Sequence, residues 1–233
     1  MEKYVVRNIA RPDALVADEF ARLGVATVYE AQGKTGLMDN GLKPIQQGVS
    51  ICGPAVTAIC HSGDNLMIHA AVEVCKPGDV LVVTTIGEAK CGMIGDLLVQ
   101  SLMKKGVKAL IMDSGIRDVM RIREMGFPVW TRAIICTGTT KIKGGWVNAK
   151  AICGGTIVAA GDLIVADDDG VVVVRQDEIN FAINAAKSRE VKEEVTTDRI
   201  NKGALGVDFY GFRDVLEKQK IVYYDNIEDV TQL

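Results

Sequence analysis

Apolar and polar positions change their period several times along the chain, and each change predicts an element. Residues 13–33 have helical spacing in two short pieces, with Asp13 placed to cap Ala14–Leu23 and Thr27 to cap Val28–Gln32. Val49–Cys60 is β-branched and alternates loosely, which predicts strands with a bend at Gly53-Pro54. Asn65–Val74 returns to helical spacing and stops at Lys76-Pro77-Gly78. Asp79–Ile86 is then a continuous apolar run of strand length.

The centre is the most readable stretch. The loop Gly87–Gly95 leads into Asp96–Lys105, where Leu97, Leu98, Ser101 and Leu102 are spaced for a helix that Gly106 closes. Val107–Met112 predicts a short strand and Asp113-Ser114-Gly115-Ile116-Arg117 a turn. A helix follows over Asp118–Met125, stopped by Gly126, then a third strand over Phe127–Trp130. The order β-α-β-α-β implies neighbouring parallel strands with right-handed crossovers.

Beyond it, Gly144–Gly155 has little period, and Thr156–Ala160, Asp162–Ala166 and Val171–Val174 read as strands, the last two joined at Asp167-Asp168-Asp169-Gly170. Gly78-Asp79-Val80-Leu81-Val82 and Gly161-Asp162-Leu163-Ile164-Val165 are alike, as two equivalent turn–strand units would be. Asp177–Glu194 is a long amphipathic helix. The tail holds Phe209, Tyr210, Phe212, Tyr223 and Tyr224, a density of aromatics that usually buries against something, a subunit interface being one candidate.

Composition narrows the function class. With 48% hydrophobic and 24% charged residues, the chain is neither disordered nor a collagen-like or disulfide-scaffold sequence. At 233 residues it should bury roughly 70% of its unfolded surface and needs no staple. A net charge of −3 with scattered basic residues argues against a nucleic-acid partner, and Lys104-Lys105 and Arg121/Arg123 read as solvated helix faces. Six cysteines without a C-x-x-C pair read as small buried hydrophobes of a reducing compartment. Two histidines, His61 and His69, exclude a His-rich zinc site and are expected to be structural or exposed. No run approaches the ~18 apolar residues of a membrane span, and Met1–Arg7 has no leader pattern, so a soluble, cytoplasmic protein without a membrane partner is expected.

Candidate chemistry lies at the sheet edge. Loops after successive parallel strands open on one side, which brings Asp96 towards Arg117-Asp118. Amides at the start of the Asp96 helix can hold an anion, Arg117 can grip a carboxylate or keto oxygen, and both aspartates offer hard oxygen ligands suited to magnesium or manganese. These parts suit a small keto acid with a divalent ion. The same residues also read as two helix N-caps with Arg117 paired to one of them.

Gly92-Met93-Ile94-Gly95-Asp96-Leu97-Leu98, the spacing to Gly115-Ile116-Arg117-Asp118, and Gly161-Asp162-x-Ile164-x-Ala166-Asp167-Asp168-Asp169-Gly170-Val171 together resemble the RraA-like family. The resemblance covers roughly residues 15–200. It points to the branch of metal-dependent 4-hydroxy-4-methyl-2-oxoglutarate/4-carboxy-4-hydroxy-2-oxoadipate aldolases of aromatic-compound catabolism. It implies an α/β fold, a swivelling β/β/α domain over residues 1–176 with N-terminal helices, and a C-terminal extension over 177–233 that makes subunit contacts. Trimers or hexamers with sites between subunits are implied. So are Asp118 as direct ligand of Mg2+ or Mn2+, Asp96 acting through metal-bound water, and Arg117 on the pyruvate keto oxygen and its enolate. The amides of Gly95–Leu98, from Gly95 through Asp96, Leu97 and Leu98, would hold the pyruvate carboxylate. A glutamate of a neighbouring subunit would support the metal; Glu193 is the candidate, with Glu194 and Glu190 close behind, although a solvated helix face explains all three equally well. Oxaloacetate decarboxylation is the expected side activity.

Two rivals stand beside this reading. Lys90, in the loop, is placed for a Schiff-base aldolase. The same family also contains regulators that bind ribonuclease E, but these tend to stop soon after the β-rich third quarter, whereas this chain adds 177–233. The second carboxylate of the substrate needs a basic group, for which Arg123, Lys141 and Lys143 are candidates.

Overall fold

A computed structural model of the chain describes residues 2–87 and 91–230. The strands are β1 (Tyr4–Val5), β2 (Lys43–Pro44), β3 (Ile51–His61), β4 (Val80–Ile86), β5 (Gly92–Ile94), β6 (Ala109–Ile116), β7 (Val129–Ile134), β8 (Trp146–Val147), β9 (Ala151–Cys153), β10 (Thr156–Val158), β11 (Leu163–Asp167) and β12 (Gly170–Val174). The principal helices are α1 (Ala14–Ala31), α2 (Leu66–Val74), α3 (Asp96–Lys104), α4 (Val119–Glu124) and α5 (Ile179–Asn201). The chain divides into two units, Met1–Arg189 and Glu190–Leu233.

The first unit is the expected α/β architecture. β4, β6 and β7 are parallel neighbours, with α3 and α4 in the crossovers. The main path runs β1-β8-β3-β4-β6-β7-β2. Both faces of its centre are covered, which is why the strands read as unbroken apolar runs. On one face Val56, Leu81, Val83, Leu110 and Met112 pack with Ile68, Leu102 and Ile122 of the helices. On the other, Val80, Val82, Ile111 and Trp130 meet Cys153, Val158, Ile164 and Val173 of the later strands. The β11–β12 hairpin also shares a cluster with Phe20 and Val28 of α1 and Ala182 of α5.

The stretch read as two strands with a bend is a single strand that changes partners. β3 pairs antiparallel with β11 through Ile51–Pro54 and parallel with β4 through Ala55–His61. Gly53 permits the switch, because a Cβ there would stand 2.2 Å from the Gly78 carbonyl oxygen.

Three local expectations need correction. α1 does break into two pieces, at Gly24, and Asp13 caps the first by accepting Leu15 N–H at 2.9 Å. Thr27 does not cap the second piece; the N–H of Val25 is taken by Asp167 Oδ2 at 2.8 Å, from 142 residues away. The supposed turn at 113–117 is the end of β6, where pairing with β5 and β7 draws Gly115 and Ile116 into the sheet and a bulge absorbs the turn-prone residues. Five cysteines are buried as expected, but Cys136 is exposed; none is in a disulfide.

The paired Gly-Asp units are equivalent in detail. Gly78 and Gly161 both have φ +92°, and each following aspartate accepts the N–H three residues back, Lys76 N to Asp79 at 2.7 Å and Ala159 N to Asp162 at 2.8 Å.

In the second unit Phe209, Tyr210 and Phe212 stack in series, with centroid separations of 4.5 and 5.3 Å, and Arg199 lies 6.0 Å from the Phe209 ring. No residue of 190–230 is buried. Among the described residues, no helix is long and apolar enough to cross a membrane.

Candidate functional site

Two parallel strands create the site. β5 runs beside β6, with Gly92 opposite Gly115 and Ile94 opposite Ile116, and Arg117 N–H donates to Ile94 O at 2.9 Å. The residues that follow each strand, Gly95-Asp96 and Arg117-Asp118, are therefore forced together. They line a cleft of about 280 Å³ with Leu97, Leu98, Asn65, His69 and Lys141.

Capping does not account for both aspartates. Asp96 is the first residue of α3, behind Gly95, and its Oδ1 accepts the N–H of Leu97 at 2.9 Å. Asp118 occupies the cap position of α4 without a capping hydrogen bond, in the left-handed region at φ +57°. Its Oδ2 instead faces Asp96 N–H and Arg117 Nε, both at 3.4 Å. A non-glycine residue in that conformation carries strain that its surroundings must sustain, and here it aims a carboxylate into the cleft. Gly95 makes room for it: a Cβ at that position would stand 2.3 Å from Asp118 Oδ2 and 3.1 Å from Arg117 Nε.

Of the four amides expected to hold an anion, two are engaged. Asp96 N–H meets Asp118 and Leu97 N–H meets Asp96. Among the described residues no partner is found for the N–H of Gly95 or Leu98, so these two remain for a ligand.

Arg121 is not simply part of a solvated helix face: its Nη1 donates to Asp96 Oδ2 at 2.9 Å. This hydrogen bond holds the Asp96 carboxyl below its ordinary pKa; burial opposes it, and Leu97 N–H and the Arg121 charge add to it. Sequence spacing could not have distinguished Arg121 from Arg123, because a six-residue helix leaves its facing direction open. Arg123 donates instead to Ile45 O at 2.6 Å and does not line the cleft, nor does Lys143.

Behind the cleft lining, Asp64 holds the loop that carries Lys141. It is 1% exposed, and its Oδ2 accepts Thr140 Oγ1 at 2.6 Å, Ile142 N–H at 2.7 Å and Lys143 N–H at 3.1 Å, while Oδ1 accepts Leu66 N–H at 3.0 Å. Burial alone would raise its pKa, but these donors together draw it down to about 2. The carboxylate thereby fastens the 140–143 loop to the start of α2, placing Lys141 near His69. Burial, then the Lys141 charge, lowers the His69 pKa, so the ring is neutral near pH 7. Asn65 is 5% exposed and donates to Met93 O at 2.9 Å, while among the described residues its Oδ1 has no partner. His61 does not line the cleft.

Asp96 and Asp118 supply two carboxylates, and among the described residues no group of three or more His, Cys, Asp or Glu side chains gathers as a metal cage. Two hard oxygen donors beside an open cleft fit a magnesium-type ion, which keeps several waters and part of its shell for substrate. Glu190, Glu193 and Glu194 lie in the second unit. Lys90 lies outside the described residues.

The RraA-like family, described as Aldolase/RraA, matches residues 14–173. A relative from Halalkalibacterium halodurans named "Putative 4-hydroxy-4-methyl-2-oxoglutarate aldolase" is 27% identical over 192 residues, 82% of this chain and 91% of its own. One of the same name from Burkholderia multivorans is 30% identical over 157 residues, 66% of this chain and 95% of its own. Among solved structures, Streptomyces coelicolor RraAS2, described as an unusual member of the RNase ES inhibitor RraA protein family, superposes with a TM-score of 0.74. It is 30% identical and covers 82% of this chain and 99% of that one.

Proposed function

We propose, from the premise that this chain belongs to the RraA-like family, that it is a divalent-metal-dependent aldolase of 4-hydroxy-2-oxo acids. It would cleave 4-hydroxy-4-methyl-2-oxoglutarate to two pyruvates and 4-carboxy-4-hydroxy-2-oxoadipate to pyruvate and oxaloacetate. The carrying observation is the convergence on one cleft of Arg117, Asp118, Asp96 and two amides without a partner among the described residues. The names borne by the relatives support the same chemistry.

In this reading the amides of Gly95 and Leu98 hold the C1 carboxylate, and Arg117 donates to the keto oxygen. The C3–C4 bond breaks as the 4-hydroxyl loses its proton to Asp96 through water. The electron pair moves onto the keto oxygen, where Arg117 stabilises the enolate, and protonation at C3 releases pyruvate. Asp118, aided by Asp96, would hold Mg2+ or Mn2+, which supplies Lewis-acid polarisation of the keto oxygen. Of the three basic residues considered for the second carboxylate, Lys141 alone lines the cleft. Exposed aromatics such as Tyr210, Phe212, Tyr223 and Tyr224 support subunit contacts in a trimer or hexamer, and the exposed Glu193 of a neighbour would be an added metal support.

Oxaloacetate tests this directly, because loss of carbon dioxide leaves the same enolate. Pyruvate release, followed through lactate dehydrogenase, should exceed the rate with magnesium alone, vanish with excess EDTA and return with magnesium. No turnover by the folded protein would reject the aldolase and favour a ribonuclease-inhibitor role like that described for RraAS2.

Gly95→Ala should reduce turnover by about 10²-fold, as misplacing a reacting group by an ångström does. The added Cβ would push Asp118 and Arg117 from their places. Unchanged kcat/KM, with thermal melting as the check on folding, would show that this close approach has no role.

A further inference from the structure

The two carboxylates of the cleft are not equally available. Each oxygen of Asp96 already holds a short hydrogen bond, Oδ1 from Leu97 N–H and Oδ2 from Arg121 Nη1, both at 2.9 Å. The contacts of Asp118 Oδ2 are 3.4 Å long, and its side chain is 37% exposed against 12% for Asp96. A guanidinium that is itself 71% exposed thus reaches from α4 to a nearly enclosed carboxylate on α3. As a tie between two helices such a pair contributes little, because exposed arginine ion pairs are screened and costly to order. Its consequence for charge is larger. Within this cluster Arg117 and Arg121 balance Asp96 and Asp118, so the two carboxylates meet an incoming dication with their charge already offset.

We propose that Arg121 is a positioning residue that keeps Asp96 from ligating the divalent ion directly, so that of the two aspartates Asp118 ligates and Asp96 faces ion and substrate through water. The inference rests on the metal-dependent reading above. It accounts for a difference in role between two neighbouring aspartates by the tightness of their ion pairs, 2.9 Å from Arg121 to Asp96 against 3.4 Å from Arg117 to Asp118. Affinity for a hard cation follows the number and charge of its oxygen ligands. Removing Arg121 leaves the cluster with net negative charge and releases an Asp96 oxygen.

The test is Mn2+ binding to the intact protein, with the free ion counted by electron paramagnetic resonance and coordinated water read by proton relaxation. Arg121→Met should bind Mn2+ about tenfold more tightly, since a unit of opposing charge is gone. Relaxation per bound ion should fall as a carboxylate oxygen replaces water. Cleavage of 4-hydroxy-4-methyl-2-oxoglutarate, whose 4-hydroxyl proton Asp96 accepts, should drop about 10²-fold in kcat, as expected for losing a placed proton acceptor, with a smaller change in KM. Arg121→Lys, which keeps the charge, should return the affinity towards wild type. Equal Mn2+ affinity and relaxation in wild type and Arg121→Met would overturn the inference even if turnover fell, because a purely structural tie would behave that way, and would leave the metal-dependent reading standing. Absence of Mn2+ binding in both proteins would overturn inference and reading together.

Discussion

Asp118→Asn and Arg117→Ala should each lower metal-dependent pyruvate release from oxaloacetate by about 10³-fold, the scale of losing a group that meets developing charge in a reaction. Asn is the informative replacement at 118. It keeps the shape and tolerates the left-handed backbone at φ +57°, whereas alanine there would add roughly 1–2 kcal/mol of backbone strain. What Asn removes is the charge facing Arg117 Nε and Asp96 N–H. Arg117→Lys should recover only part of the activity, since an ammonium cannot present two fixed donors. Both side chains are more than a third exposed and belong to no core cluster, so melting temperatures should stay near wild type. Normal turnover of Asp118→Asn with added magnesium would reject its assignment as metal ligand. Normal turnover of Arg117→Ala would reject its place on the keto oxygen.

The largest effect on stability is expected far from the cleft, at Asp79. Its side chain is fully buried and accepts from Arg11 Nε and Nη2, both at 2.8 Å, as well as from Lys76 N–H at 2.7 Å. Asp79→Ala leaves a guanidinium that is 17% exposed without its counter-charge, and removing one member of a buried pair costs about 3–5 kcal/mol. The equivalent unit provides the control. Among the described residues Asp162 accepts only backbone N–H groups, from Ala159 at 2.8 Å and Gln176 at 3.1 Å, so Asp162→Ala should cost about 1–3 kcal/mol. Urea denaturation of the two variants separates the arginine's share from that of the turn. Losses of equal size would show that Arg11 adds nothing to the Asp79 unit. The double variant Arg11→Met/Asp79→Ala should be less destabilised than Asp79→Ala alone, because no charge is then left unpaired.

Local chemistry was legible wherever the determining partner is close in sequence. Asp13 caps α1 through a residue two positions on, and Gly106 turns the chain just past α3 at φ +73°. The parallel β4-β6-β7 order followed from alternating elements, and with it the meeting of Asp96 with Arg117-Asp118. Errors arose where a distant group overrides local preference. Val25 begins a helix because Asp167 takes its N–H, and Asp113-Ser114-Gly115-Ile116 stays in a strand because two neighbours pair with it.

Fold class, family pattern and the residue types that converge at one sheet edge are written in periodicity and short motifs, which encode what each segment buries and where strands must end. Which neighbours share the cleft depends on contacts made between distant segments. Lys141 lines it and Arg123 does not because Asp64 fastens the 140–143 loop to the start of α2, while Arg123 is drawn to the Ile45 carbonyl. Arg121 reaches Asp96 across 25 residues, and Asp118 adopts a backbone conformation that only its packed surroundings hold. Side-chain direction on a short helix and strain at a turn are set by contacts that form only when the chain closes on itself, and spacing along the sequence does not encode them.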